Sequence, residues 1–105
     1  MEIKINIAKD FSNAPAGRFA SDGEFSGENF RNRFITPYIN NPDVSLIIFD
    51  LTGLDGVAGS FWREAFKDIG DNRNKIRILD EEEDLEVLIW FLILILGIYW
   101  QGEWL

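Results

Sequence analysis

Apolar and polar residues alternate from Met1 to Ile7, with Ile3, Ile5 and Ile7 on one side and Glu2, Lys4 and Asn6 on the other. A period of two with one apolar face predicts a half-buried strand. Ala8 to Gly17 loses the alternation and holds Ser12, Asn13, Pro15 and Gly17, so it reads as a loop. Arg18 to Ser26 reads as a short hairpin turning at Asp22-Gly23, a dipeptide that suits a type I′ turn. The period then changes. Phe30, Phe34 and Tyr38, flanked by Ile35 and Ile39, recur at the spacing of one helical face, and Ser26 stands where a helix cap belongs. A helix is therefore predicted over 27–39, ended by Asn40-Asn41-Pro42, with Pro37 loosening its last turn.

The apolar run from Val44 to Leu51 has the mark of a central strand buried on both faces. A glycine-rich stretch follows, and Ser60 opens a second helix reaching Ile69. Its inner face is Phe61, Ala65 and Ile69 with Trp62 and Phe66, and Gly70 stops it. Lys75 to Leu79 alternates again. A third helix is predicted from near Glu82, its acidic first turn favourable against the helix dipole. Strands alternating with helices argue for an α/β fold on a mainly parallel or mixed sheet.

Val87 to Trp100 is fourteen residues without a charge. A bilayer-crossing helix needs about twenty, so no membrane span is expected. Apolar side chains nonetheless surround the whole circumference of such a helix. The segment 87–105 is therefore expected to complete the core or to form a homo-oligomer interface, with Trp90, Trp100 and Trp104 as candidate anchors.

The chain of 105 residues suits one domain, and 47% hydrophobic residues suffice for a core without staples. It has no cysteine and no histidine. Disulfides and thiolate chemistry are thus excluded, and the commonest general base and transition-metal ligand are missing. A reducing cytoplasmic compartment is the expectation. Met1 leads straight into the first strand, so no signal peptide is expected. The net charge of −8 disfavours nucleic acid and anionic membrane as partners and suits a basic protein surface.

Candidate chemistry gathers at the corner from Asp50 to Ser60, where a strand ends and a helix begins. Ligands and partners are commonly met at such corners in α/β folds. Ser60 is either a phosphoacceptor or a plain helix cap. Gly53, Gly56 and Gly59 lack both the dinucleotide fingerprint and the Walker lysine, so no nucleotide cofactor is predicted. Asp22, Asp50 and Asp55 offer oxygen donors, but scattered acids are common in so acidic a chain, and no metal is predicted. No residue pair stands out as a catalytic dyad, and an enzyme is not expected.

Two segments resemble a known family. Ala8-Lys9-Asp10-Phe11-Ser12, Gly17-Arg18, Asp22-Gly23, Ser26-Gly27-Glu28 and Phe30-Arg31 look like the amino-terminal signature of the STAS-like domain family. Gly59-Ser60-Phe61 with Glu64-Ala65-Phe66 resembles its second signature. The resemblance spans Ile3 to Gly70 and implies a STAS-like α/β fold, a four- to five-stranded mixed sheet with about three helices. It also implies a non-enzymatic protein-interaction module, a regulatory partner of a histidine-kinase-like ATPase. The Asp-Ser phosphoacceptor pair of true STAS domains would fall near Ala58-Gly59, where Ser60 carries the nearest hydroxyl. On this view Asp50, Thr52, Asp55, Ser60, Trp62 and Arg63 are the partner-binding candidates. Arg18, Asp22, Ser26, Glu28 and Glu64 are structural signature residues, with an Arg18–Glu28 ion pair tying the hairpin to the first helix. The alternative reading is an acidic decoy that occludes a nucleic-acid-binding enzyme.

Overall fold

The β-branched and aromatic residues of three short segments carry the sheet. The computed structural model describes residues 1–79, and within them lie β1 (Glu2–Asn6), β2 (Leu46–Asp50) and β3 (Ile76–Leu79). The strand order is β1-β2-β3, and both pairings are parallel. Ile3 pairs with Ile47 and Ile5 with Phe49, while Ile47 faces Ile76 and Phe49 faces Ile78 on the other side. These residues share one face, and Ile5, Ile47, Phe49 and Ile76 are buried. The opposite face carries Leu46, Ile48 and Asp50, all half-buried, with exposed Lys4 and Arg77 on either side of Ile48. Among the described residues the central strand is thus sealed on one face and half-covered on the other. No strand of the described residues runs antiparallel. The segment 18–26 is not a hairpin, and the sheet has three strands among the described residues.

Both crossovers run in the same direction across the sheet. Because such crossovers share one hand, both helical layers fall on the same face. The first layer starts with α1 (Ile7–Asp10), a single turn. Asn6 caps it by accepting from Lys9 N–H at 2.9 Å, and the Asp10 carboxylate accepts from Asn6 N–H at 2.9 Å. A longer rod follows, made of α2 (Gly27–Phe30), a π-helical turn (Arg31–Ile35) and α3 (Thr36–Ile39). Ser26 caps it as the sequence predicts, its hydroxyl accepting from Asn29 N–H at 3.2 Å. The π turn answers to Pro37. Proline has no N–H to donate, and its ring presses on the carbonyl four residues back. The chain relieves this by widening the preceding turn, and Thr36 N–H donates to the Arg31 carbonyl five residues earlier.

The second layer is α4 (Gly59–Ala65), shorter than the helix predicted over 60–69. Phe66 leaves the helical path, and Asp68 has φ 62°, the left-handed region. That reversal lets Ile69 turn back into the core at 8% exposure. A 3₁₀ segment (Gly70–Lys75) then leads into β3. Lys75 Nζ donates to the carbonyls of Ile39 and Asn41 at 3.1 and 3.2 Å, satisfying acceptors at the end of α3.

The core is largely aromatic. Phe30 lies 5.4 Å from Phe49 and 5.7 Å from Phe61, and Phe66 lies 5.4 Å from Phe49, so both helical layers meet over the central strand. Phe11 joins them from the first loop, with its ring edge-on to Phe25 and Phe30 at 5.3 and 5.4 Å. The expected hairpin is instead a loop folded on itself. Ala16 N–H donates to the Phe25 carbonyl, and Gly27 and Glu28 N–H donate to those of Gly17 and Arg18. Asp22 Oδ2 accepts from the N–H groups of Arg18 and Phe19 at 3.1 and 2.9 Å, closing a 3₁₀ turn at Ala20–Asp22. A carboxylate that can accept two backbone donors beats the two-residue turn that Asp22-Gly23 would otherwise make. Among the described residues no helix is long and apolar enough to cross a membrane. The expected third helix and the apolar segment 87–105 lie outside the described residues.

Gly27 is where α2 meets α4. A Cβ there would stand 2.5 Å from the Phe61 carbonyl oxygen and 3.0 Å from Glu64 Cβ. Those neighbours are backbone and a buried stem, so they have little freedom to retreat. Gly27→Ala is expected to destabilise the fold by about 2–3 kcal/mol through forced separation of the two helices. Urea unfolding checks this, with a lower midpoint at unchanged slope as the expected result.

Candidate functional site

Two hydrogen-bonded groups hold several of the expected site residues. The first sits at the carboxyl ends of β1 and β2, where Asn6 and Asp50 are register partners. Asp50 Oδ1 accepts from Thr52 N–H at 3.0 Å, and Asn6 Nδ2 donates to the Thr52 carbonyl at 3.3 Å. The hydrogen bond from Thr52 N–H leads in holding the Asp50 carboxyl below its ordinary value, with smaller help from Lys4 and Asn6 against a partial cost of burial. Gly53 has φ 92°, and a Cβ there would stand 3.2 Å from Ala8 Cβ, so glycine lets the chain turn tightly past α1. Asp55 N–H donates to the Asn13 carbonyl at 2.8 Å, fastening the connection to the first loop. Beyond it Asp55, Gly56, Ala58 and Ser60 are exposed, while Leu54, Val57 and Arg63 are half-buried.

Ser60 is not the helix cap. Ala58 takes that position with extended backbone (φ −68°, ψ 147°), and its carbonyl accepts from Phe61 N–H at 3.1 Å. Ser60 is the second residue of α4 and points its exposed side outward. The helix phase is set by the need to bury Phe61, Trp62 and Ala65, which leaves position 60 on the wet side. Trp62 is fully buried, its ring 5.0 Å from that of Phe61, and it offers no contact surface to a partner. Its expected place among the partner-binding residues is thereby corrected.

The second group centres on Glu64, which is 2% exposed. Arg31 Nη1 lies 2.7 Å from Glu64 Oε2 and also donates to the Glu64 carbonyl. Arg18 Nε donates to Oε1 at 3.1 Å, and Lys67 Nζ approaches Oε2 at 3.9 Å. Burial is the largest influence on the Glu64 carboxyl and pushes its pKa up. The hydrogen bonds from Arg31 and Arg18, with the charges of Arg31 and Lys67, together outweigh it, and the net shift is downward from 4.5. The Arg18–Glu28 pair is not formed. Arg18 reaches Glu64 instead, and Glu28 Oε1 accepts from Ala20 N–H at 2.7 Å.

Arg31 is the residue that sequence reasoning missed. It lies off the apolar stripe of its helix, and nothing in the linear order joins it to a glutamate 33 positions later. The i, i+3 spacing of Glu64 and Lys67 was the one local sign of the cluster. Among the described residues no three acidic side chains gather as a metal site. Compared with known proteins, the chain matches no family model, no curated protein and no solved structure.

The Glu64 pKa is lower in the folded chain than in the unfolded one. The stability it contributes is therefore complete above about pH 4.5 and is lost as pH falls through the folded value. Glu64→Gln is expected to cost about 2–3 kcal/mol at neutral pH, less than a fully buried pair because Arg18 and Lys67 are partly solvated. It is also expected to flatten the loss of stability below about pH 4.5, which a pH series of urea midpoints reads directly. Arg18→Ala, on the exposed side of the cluster, is expected to cost about 1 kcal/mol or less by the same measurement.

Proposed function

We propose that this chain is a regulatory protein-interaction module that docks through the connection from Asp50 to Ser60. One observation carries the reading. The corner at the carboxyl end of the central strand is rigidly footed at Asp50, Thr52 and Gly53, and then exposes Asp55, Gly56, Ala58 and Ser60 in succession. A fixed foot under an exposed rim lowers the ordering cost of binding. The resemblance to STAS-like domains suggests the class of partner, a histidine-kinase-like ATPase. Ser60 is an outward hydroxyl beside this rim, where a phosphate would add nearly two negative charges to the docking surface. The Trp62 side chain takes no part, and Asp55 and Ser60 carry the polar contacts.

The alternative of an acidic decoy draws little support from residues 1–79. They hold eleven acidic and ten basic side chains, whereas residues 80–105 hold seven acidic and no basic ones. In the sequence, the net charge of the chain is therefore concentrated beyond β3.

A pull-down against a histidine-kinase-like ATPase tests the proposal, comparing wild type with Ser60→Asp and Asp55→Lys. The proposal expects capture by wild type, at least about tenfold weaker capture by Asp55→Lys, which sets a cation before a basic partner surface, and altered capture by Ser60→Asp, whose added charge stands in for a phosphate. Equal capture of all three would dismiss the corner as the docking surface. Failure of every form to bind would dismiss the partner class.

A further inference from the structure

A cavity of about 210 Å³ opens between the π turn and the end of α4. Its walls combine two cations, Arg31 and Lys67, one anion, Asp68, and the aliphatic side chains of Ile35, Ile39 and Ile69. Two backbone irregularities meet here. Arg31 and Ile35 bound the π turn, a feature that recurs at functional sites. Asp68 is the one non-glycine residue with positive φ among the described residues. Glycine is the usual residue where a chain reverses after a helix, so a carboxylate placed there at a conformational cost is a reason to look at its surroundings.

The charges on the walls are arranged for a ligand of both signs. Glu64 holds Arg31 through Nη1 alone in its hydrogen bonds, which leaves the rest of the guanidinium donors for another acceptor. Lys67 is half-exposed and only 3.9 Å from the same carboxylate, a loose contact that leaves its ammonium able to turn. A dianion such as phosphate would meet Asp68. A simple cation would meet Arg31 and Lys67. A zwitterion satisfies both sets, and the isoleucines suit a short aliphatic group. The volume lies below the range of about 300–1,000 Å³ usual for drug-sized ligands, so only a few heavy atoms fit.

We propose that this cavity binds a small aliphatic α-amino acid, with its carboxylate between Arg31 and Lys67 and its ammonium on Asp68. The site shares no residue with the 50–60 corner, and its fate is independent of the docking proposal.

Backbone amide chemical shifts of the full chain, titrated with L-valine, provide the test. Isovalerate, which lacks the ammonium, and isobutylamine, which lacks the carboxylate, form the other two arms. Saturable shifts are expected for L-valine at the amides of residues 31–36 and 67–70, with weaker ones for isovalerate. Asp68→Asn keeps a residue that tolerates positive φ, and it is expected to weaken L-valine about fivefold while leaving isovalerate unchanged. Lys67→Met is expected to weaken both. An absence of saturable L-valine shifts at these amides would overturn the proposal. So would equal binding of L-valine and isobutylamine, or an Asp68→Asn variant that binds L-valine as the wild type does.

Discussion

The close crossing of α2 and α4 is the constraint on which the rest of the structure depends. Two crossovers in one direction bring both helices onto the same sheet face, over the three strands of the described residues. There is room for both only if they approach closely, and Gly27 permits it by presenting bare backbone to Phe61 and Glu64. Closeness then allows Phe30, Phe61 and Phe66 to converge above Phe49. It also sets Glu64 within reach of Arg31 and Arg18, so that a carboxylate at 2% exposure is fully paired. A buried charge without those partners would be strongly unfavourable. The glycine and the ion cluster are therefore two parts of one solution.

That cluster also explains how an irregular first loop is held. Arg18 comes from the loop, Arg31 from the π turn and Glu64 from α4, so one carboxylate joins three segments distant in the sequence. Asp22 and Glu28 perform the local version of the same work by accepting backbone N–H groups within the loop. Arg18, Asp22 and Glu28 thus act through hydrogen bonds to backbone and to Glu64. The corner from Asp50 to Ser60 is placed by this framework and takes no part in it beyond its foot.

The elements with strong periodicity were legible in advance. The alternation of Met1 to Ile7, the Ser26 cap and the Phe30 stripe each report a local rule: pleat, unpaired N–H groups and helical pitch. Boundaries set by competition were not. Ser60 is a good cap by residue type, yet burial of Phe61 and Trp62 starts α4 at Gly59 and turns Ser60 outward. Asp22-Gly23 favours a hairpin in isolation, yet the Asp22 carboxylate finds two backbone donors in a tighter loop. Trp62 has two readings in the sequence, inner face and partner contact, and the core takes it.

By itself the amino-acid sequence determined the strand and helix alternation, the central position of the apolar strand, the capping of the first long helix and the disturbance near Pro37. All of these follow from interactions between residues a few positions apart. Only the tertiary structure decided that the two helices share one face, that Arg31 and Arg18 meet Glu64, and that the cavity beside Asp68 combines both signs of charge. Those facts depend on which distant segments end up adjacent, and a contact across thirty or more positions leaves no periodic trace in the chain.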